Sequence, residues 1–294
     1  MKVRIVWTPI GRPAALGNLI SGTRQKLIAG ARQENVELEA PPRALVDIHS
    51  HILWGLDDGS RDLSESLAML EMAYARGTTD IVATPHANYR YKFDSGIIAE
   101  RVAELRALMP SFPRIHLGCD FHLNVHNVED ALANPHKYTI NGLNYLMTEF
   151  PDLIIPTTSE EILRLLIEAG ITPVITHPER NQILQGSLER LEEWVSMGCL
   201  LQVTGQSLSG GFGRKAQEVA WQLLTDRLVH VIASDAHDTT ERPPRLDLAW
   251  KAIKHKMGEA VATSLFIDNP SAIIAGRPIP VPEAMASKGH SAGR

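Results

Sequence analysis

The sequence predicts an α/β fold of the TIM-like type, in which parallel strands alternate with helices and close into a barrel. Two observations lead to this prediction. From Leu45 onward, short apolar runs alternate with amphipathic stretches, and nearly every apolar run ends in His, Asp or Glu. An open doubly wound sheet also fits the alternation, but it spreads its strand ends along an edge, whereas a barrel gathers them at one mouth. We therefore expect a barrel, complete or incomplete.

The apolar runs are expected to be the strands, because each is short and ends in polar residues. In chain order they are Leu45–Ile48, Asp80–Ala83, Arg114–Leu117, Tyr145–Phe150, Thr172–Ile175, Leu200–Val203 and Leu228–Ala233.

The amphipathic stretches between the runs are expected to be helices. In the first of them Leu63, Leu67 and Leu70 keep one apolar face, as the 3.6-residue period requires. Glycine follows several of these stretches directly, at the position where a helix commonly ends. The stretches are Leu63–Arg76, Ile97–Met109, Ser159–Ala169, Leu188–Met197, Lys215–Asp226 and Leu246–Met257.

Composition excludes several classes of protein. The chain has 294 residues, of which 44% are hydrophobic and 21% charged, so it is not a disordered protein. Its net charge of −5 disfavours a general nucleic-acid binder. No apolar run approaches the length of a membrane helix, and the first residues lack the continuous apolar core of a signal peptide. With only two distant cysteines, these features predict a cytoplasmic location.

Charge divides the chain into a basic leader and an acidic remainder. Residues 1–44 carry seven basic and three acidic side chains and end close to Pro41-Pro42, so we expect a poorly structured N-terminal extension. A basic arm that meets an anionic partner is the alternative. Residues 45–282 are expected to form the catalytic barrel, and residues 283–294 a disordered tail.

The polar residues at the strand ends carry the chemistry. Two imidazoles in Asp47-Ile48-His49-Ser50-His51 face one side of a strand, and the next loop adds Asp57-Asp58. Later strands end in His86, Asp120 and His122, His177, and Asp235 and His237. Buried charges of this kind need compensation, and divalent cations provide it. Imidazole and carboxylate ligands without paired thiolates favour two or three ions of Mn, Fe or Zn at a catalytic centre.

These motifs, taken together and in order, resemble the PHP (polymerase and histidinol phosphatase) superfamily from Asp47 to about Pro270. More narrowly, they resemble the bacterial manganese-dependent protein-tyrosine phosphatases of capsule and exopolysaccharide loci, the CpsB/CapC type. The matching stretches are Asp47-Ile-His-Ser-His51, Asp57-Asp-Gly59, Ala83-Thr-Pro-His86, Glu149-Phe-Pro151, His177-Pro-Glu-Arg180, Gln202-Val-Thr-Gly-Gln-Ser-Leu208 and Ala233-Ser-Asp-Ala-His237.

The resemblance implies a distorted (β/α)7 PHP barrel with a centre of two or three metal ions, usually Mn²⁺. One ion would be held by His49, His51 and Asp235, with Asp120 as a bridge. A second would be held by Asp58, His86 and His237, and His177 would serve the remaining ion. The family usually has Glu at the position of Asp120, and the shorter side chain leaves a place for His122 as a further ligand.

The chemistry expected of such a centre is hydrolysis of a phosphate monoester by a water that bound metal ions activate. Arg180 would bind two phosphate oxygens through its guanidinium group, with Asp58 and His177 also in the catalytic set. Either Asp58 or a water molecule would protonate the leaving group. Neither cysteine is followed by arginine in the spacing C-x5-R, which disfavours a cysteine-dependent phosphatase.

Three segments leave their roles open. The glycine-rich stretch Gln206–Lys215 is either a plain helix entry or a loop on the substrate side. Trp54 and the run Tyr89–Lys92 either flank a phosphotyrosine ring or cover the barrel mouth.

The function we expect is a metal-dependent protein-tyrosine phosphatase (EC 3.1.3.48) whose partner, by the resemblance, is a bacterial tyrosine kinase that regulates exopolysaccharide or capsule synthesis. A phosphatase for a small phosphate monoester, like the histidinol-phosphatase branch, is the first alternative. A metal-binding regulator without turnover is the second. Neither nucleic acid nor membrane insertion is expected, and no oligomeric state follows from the sequence.

Overall fold

The computed structural model describes residues 44–151 and 154–279. The predicted N-terminal extension, apart from Ala44, and the predicted tail at residues 283–294 lie outside the described residues. The helices within these ranges include none that is both long and apolar enough to cross a bilayer.

The strands pair in parallel, as the alternation of strands and helices predicts. Within the described residues they are β1 (Leu45–Ser50), β2 (Thr78–Ala83), β3 (His86–Ala87), β4 (Arg114–Leu117), β5 (Asp120–His122), β6 (Tyr145–Glu149), β7 (Thr172–Thr176), β8 (Leu200–Thr204) and β9 (Val231–Ala233). One sheet has the order β1-β2-β4 and the other the order β3-β5-β6-β7-β8-β9.

The two sheets follow one another around a ring with seven strand positions. β2 continues into β3 after Pro85, and β4 continues into β5 after Gly118 and Cys119. At the other end, the amide of Asp235 donates to the carbonyl of His49 (2.9 Å), which joins β9 to β1. Counting the interrupted strands once each, the ring has the seven positions of the predicted distorted barrel.

The interruptions have a local cause. Pro85 has no amide proton, so it cannot continue the ladder of β2. The amide of Gly118 still donates to the carbonyl of Ala83 (2.9 Å), but a Cβ on Gly118 would lie only 3.1 Å from Val82. Glycine leaves room for this close approach at the interruption between β4 and β5. His86 and Asp120 directly follow the two interruptions, as the first residues of β3 and β5.

The helices cover the outside of the ring. Those of the described residues are α1 (Leu63–Ala75), α2 (Ser95–Leu108), α3 (Val125–Ala133), α4 (Ser159–Glu168), α5 (Leu188–Ser196), α6 (Arg214–Thr225), α7 (Leu246–Met257), α8 (Glu259–Thr263) and α9 (Asn269–Ile274). Three start at side-chain caps: Asp62 accepts from the amide of Glu65, and Asp94 and Asn124 cap α2 and α3 in the same way.

Buried apolar side chains from opposite parts of the ring meet in its interior. Val46, Val82, Met147, Val174 and Val231 belong to one cluster, although they come from five different strands. A packed interior leaves the carboxyl ends of the strands as the place where polar groups gather.

Candidate metal centre

The predicted site residues come from strand ends and the turns directly after them. His49 lies in β1, His86 in β3 and Asp120 in β5, while His177 and Asp235 follow β7 and β9. His177 and Asp235 both have positive φ angles, of 32° and 53°, which are unfavourable for residues with a side chain. Such strained turns concentrate at functional sites, where the surrounding structure holds them.

In the described part of the chain, seven candidate ligands form three adjoining groups, and within each group the ligand atoms lie within 4.8 Å of one another. The groups share members, so the described residues offer three neighbouring positions for cations. The groups are His51, Asp58, His86 and His237; His49, His51 and Asp120; and His86, Asp120 and Glu149.

Asp120 lies at the middle of the centre. Its Oδ2 atom is 3.2 Å from Nδ1 of His86, 3.4 Å from Nε2 of His49 and 4.0 Å from Nε2 of His51. The side chain is fully buried, and neither of its oxygens makes a hydrogen bond with the described residues. A buried carboxylate in this position is suited to bridge cations that the imidazoles also bind.

Asp235 joins the centre to two arginines. Its Oδ1 atom lies 3.5 Å from Nε2 of both His49 and His51, on the side of the candidate ligands. Its Oδ2 atom accepts hydrogen bonds from Arg180 and from Arg242, the latter at 2.5 Å. Arg242 was not among the predicted site residues, because its place in a loop after β9 gives no sequence signal of its own.

Two histidines are oriented by hydrogen bonds from their other ring nitrogen. Nδ1 of His51 lies 2.7 Å from Oδ2 of Asp57, and Nδ1 of His49 lies 3.0 Å from Oε1 of Gln202. Both contacts turn the Nε2 atoms inward, and these two atoms are 3.4 Å apart. Such partners fix the tautomer and ring orientation of metal-binding histidines.

Glu149 is a candidate ligand that the sequence reasoning missed, although its motif was noted. It ends β6, and its carboxylate lies 3.6 Å from Nδ1 of His86 and 3.7 Å from Nε2 of His177. His177 thus reaches the centre beside Glu149. Three predicted ligands, His122, His177 and Asp235, belong to none of the three ligand groups formed by the described residues. His177 and Asp235 nevertheless adjoin them, through the contacts with Glu149 and His49.

The electrostatics of the centre favour cations. Burial alone would lower the pKa of His86, but the nearby carboxylates of Asp120 and Asp58 raise it to about 12. In the same way Asp120 and Asp235 outweigh burial and raise the pKa of His49 to about 9. Without metal ions the centre therefore holds protons, and divalent cations would compete for the same nitrogens.

The pKa values of two carboxylates of the centre are shifted in opposite directions. The hydrogen bond from His86 is the main reason that the pKa of Asp58 lies well below its usual value, despite some burial. Burial, followed by the charge of Asp120, instead raises the pKa of Glu149 to about 8. An ionised Asp58 suits a metal ligand better than a proton donor, which favours the first of its two predicted roles.

Tyr91, Tyr89 and Trp54 lie in three different environments: beside the centre, at the surface and against the core. The ring of Tyr91 stacks on His86, with centroids 5.9 Å apart and planes 10° apart. Tyr89 beside it is 93% exposed. Trp54 instead packs against the apolar cluster under α1 and α2, with the guanidinium of Arg101 4.2 Å from its ring centre.

A cavity of about 250 Å³ opens over the centre. Its walls combine the candidate ligands with cationic and apolar groups, including Arg180, Arg242, Phe150 and Leu184. The two arginines give this acidic centre a positive wall, which suits an anionic substrate.

Comparison with known proteins places this centre in a family. Residues 45–275 match the model of the family described as capsular polysaccharide synthesis, CpsB/CapC. The chain is 34% identical over 242 residues to tyrosine-protein phosphatase CpsB of Streptococcus pneumoniae, covering 78% of this chain and 98% of that protein. It is 33% identical over 202 residues to tyrosine-protein phosphatase YwqE of Bacillus subtilis, covering 67% and 79% of the two chains.

Solved structures agree with this relationship. A structure from a study of YwqE and CpsB, described as unique metal-dependent tyrosine phosphatases, superposes with a TM-score of 0.75 and 29% identity, over 80% of this chain and 96% of the other. A β-aspartyl dipeptidase of Fervidobacterium islandicum shares only the fold, at a TM-score of 0.53 and 12% identity. The chain therefore belongs to the CpsB/CapC family of capsular polysaccharide synthesis proteins.

Proposed function

We propose that this protein is a metal-dependent protein-tyrosine phosphatase that hydrolyses phosphotyrosine in proteins. The observation that carries the proposal is the combination of three adjoining ligand groups with Arg180 at one cavity. Membership in a family whose relatives are tyrosine-protein phosphatases supports the same reaction.

The chain's own residues divide the work between ligands and substrate groups. Divalent ions held by the three groups would neutralise phosphate charge and supply an activated water. We assign His49, His51, Asp58, His86, Asp120, His177, Asp235 and His237 as ligands, as the sequence predicts, and add Glu149. Arg180 presents its guanidinium group to the cavity and binds phosphate oxygens, and Arg242 offers a second such group.

The leaving group needs little help from the protein. A tyrosine phenolate has a pKa of about 10, so it departs more readily than an alkoxide. This fits the lowered pKa of Asp58, which leaves no proton on that carboxylate at neutral pH.

Mn²⁺ is the ion we propose for the centre, with Fe or Zn as alternatives. The donors are imidazole nitrogens and carboxylate oxygens, and the free thiols of Cys119 and Cys199 belong to none of the ligand groups of the described chain. Nitrogen and oxygen donors without sulfur are typical of sites that bind Mn²⁺, whereas a closed structural zinc site usually includes cysteine sulfur.

The partner we propose is a bacterial tyrosine kinase that regulates exopolysaccharide or capsule synthesis, acting with this enzyme in the cytoplasm. The family description, capsular polysaccharide synthesis, supports this role. Hydrolysis of a small phosphate monoester is the competing function, because the cavity of about 250 Å³ would also admit such a substrate.

The experiment is an assay of the purified protein on phosphotyrosine peptide, phosphoserine peptide and histidinol phosphate, with Mn²⁺ and after chelation. We expect turnover of the phosphotyrosine peptide that chelation abolishes and that vanadate inhibits poorly. Turnover that survives chelation would overturn the metal-dependent mechanism. Faster hydrolysis of histidinol phosphate would favour the competing function, and no turnover of any substrate would favour a regulator.

A further inference from the structure

The guanidinium groups of both cavity arginines lie close to the ring of Phe212. The guanidinium carbon of Arg180 lies 4.1 Å from the ring centre, and that of Arg242 lies 5.7 Å away. Both side chains also donate to Oδ2 of Asp235. The two cationic groups therefore converge between a carboxylate and an aromatic ring.

Two guanidinium groups at such short range repel each other, and one carboxylate compensates only part of that repulsion. Asp235 also directs its Oδ1 atom toward His49 and His51, so its charge is shared with the ligand side. The negative face of an aromatic ring attracts cations, and a flat ring also stacks on a planar guanidinium group. Phe212 thus supplies a second surface that favours the paired position of the arginines.

The loop that carries Phe212 is held to the loop that carries Arg242. The side-chain amide of Gln206 donates to the carbonyl of Glu241 (2.8 Å), one residue before Arg242. Gly211 packs directly on Gln206, and a Cβ at Gly211 would lie 2.4 Å from Cγ of Gln206. The hydrogen bond and this close packing connect the two loops next to Phe212 and Arg242.

The turn around Phe212 also depends on its glycines. Gly210 and Gly213 adopt φ angles of +84° and +89°, which side-chain-bearing residues rarely adopt. They allow the chain to leave the 3₁₀ turn at Gly205–Ser209, place Phe212 beside Arg180 and Arg242, and enter α6 within a few residues. The contact of Phe212 with two cavity arginines supports the second of the two predictions for the glycine-rich stretch, a loop on the substrate side.

We propose that Phe212 is a positioning residue that holds Arg180 and Arg242 in place to bind the phosphate group. The inference rests on the proposed phosphatase function and deepens it, because it explains how two like charges stay paired at one phosphate position. Phe212 acts through the arginines.

The test compares Phe212→Leu with Phe212→Tyr. Leucine keeps an apolar side chain but removes the ring face, whereas tyrosine keeps the ring. For Phe212→Leu we expect inorganic phosphate to inhibit about tenfold more weakly and kcat/KM for p-nitrophenyl phosphate to fall about tenfold, the scale of one cation–π contact. Phe212→Tyr should stay within about twofold of wild type, with Mn²⁺ content unchanged in both variants.

A double-mutant cycle tests whether the effect passes through the arginines. In an Arg180→Ala background, Phe212→Leu should change phosphate affinity by less than about threefold, since its main partner is gone. Ser196→Ala serves as the control, because this exposed hydroxyl donates to the carbonyl of Glu192 within α5, and the residues of α5 do not line the cavity.

Wild-type phosphate inhibition in Phe212→Leu would overturn the proposal, and so would an equal loss in Phe212→Tyr. If Phe212→Leu melts at a lower temperature, Phe212→Met replaces it, and calorimetric binding of inorganic phosphate to the Mn²⁺-loaded protein replaces turnover. Both probes are independent of the natural substrate. A wild-type enzyme that fails on phosphotyrosine peptide would therefore overturn the proposed function without deciding the role of Phe212.

Discussion

Asp57 and His51 form a short contact, with Oδ2 of Asp57 2.7 Å from Nδ1 of His51. The same oxygen accepts the amide of His86 at 3.0 Å, so one carboxylate orients one candidate ligand and anchors the backbone of another. Burial would raise the pKa of Asp57, but the neighbouring His51 lowers it below the usual value. Asp57 is thus an ionised side chain that supports the centre from outside.

The first prediction follows from this contact. Asp57→Asn keeps the size of the side chain. It replaces one carboxylate oxygen, a hydrogen-bond acceptor, with an NH₂ group, which is a donor. We expect Mn²⁺ affinity to fall by about 10- to 100-fold, as is usual when a partner of a metal-binding histidine is lost. Titration of the metal-free protein with Mn²⁺ measures this affinity. Asp130→Asn is the control, because Asp130 pairs with Lys137 at the surface; equal affinities in the two variants would contradict the role.

The second prediction concerns the bridge. Asp120→Asn removes the charge that faces His49, His51 and His86. We expect fewer bound ions per chain and a loss of kcat/KM of at least about 100-fold, because a neutral amide is a poor bridge between cations. Metal analysis and steady-state kinetics measure these. A variant that keeps full metal content and full activity would remove Asp120 from the centre.

The third prediction separates substrate groups from ligands. Arg180→Ala should lower kcat/KM by about 100-fold while metal content is kept, because removal of a group that stabilises developing charge typically costs this much. His177→Ala should lose both metal and rate, since His177 lies beside Glu149. Metal analysis of the two purified variants distinguishes them. Loss of metal in Arg180→Ala would instead give that arginine a structural role through Asp235.

The fourth prediction concerns pH. The raised pKa values of His86, about 12, and of His49, about 9, mean that both rings are protonated at neutral pH when no metal is present. Metal ions must displace these protons, so Mn²⁺ affinity should rise with pH and be at least about tenfold weaker at pH 6 than at pH 8. Binding titrations at several pH values test this. Equal affinity throughout would show that metal binding releases no protons from the centre.

The fifth prediction concerns stability. Burial raises the pKa of Glu179 from 4.5 to about 7, although Ser207 and the amide of Thr204 donate to Oε1. A raised carboxyl pKa favours the folded protein at low pH, and this contribution is lost as pH rises from about 4.5 to 7. The loss is on the order of 3 kcal/mol, at about 1.4 kcal/mol for each pKa unit.

Glu179→Gln cannot ionise, so the free energy of unfolding should depend less on pH in this variant. Urea unfolding at pH 5.5 and pH 8 in the presence of a chelator measures the difference between wild type and variant. The chelator removes the separate effect of pH on metal binding. If the free energy of unfolding changes between pH 5.5 and pH 8 by the same amount in wild type and in Glu179→Gln, then Glu179 does not titrate on unfolding in this range.

Much of the fold could be predicted from the sequence because periodicity is a local property. All seven predicted apolar runs contain strands and all six predicted amphipathic stretches contain helices, with bounds that differ by a few residues. The structure adds β3 and β5, which are too short to show a pattern. Within the described residues it also adds the helices α3, α8 and α9, which are only nine, five and six residues long.

The sequence by itself determined the parallel α/β class, the family, and the strand ends that carry His49, His86, Asp120 and Asp235. These features depend on residue types and on their spacing along the chain. Only the tertiary structure decided which of these side chains meet, and it added Glu149, Arg242 and Phe212 to them. The physical reason is that ring closure brings together residues far apart in sequence, and contacts of that kind leave no local pattern for a single sequence to show.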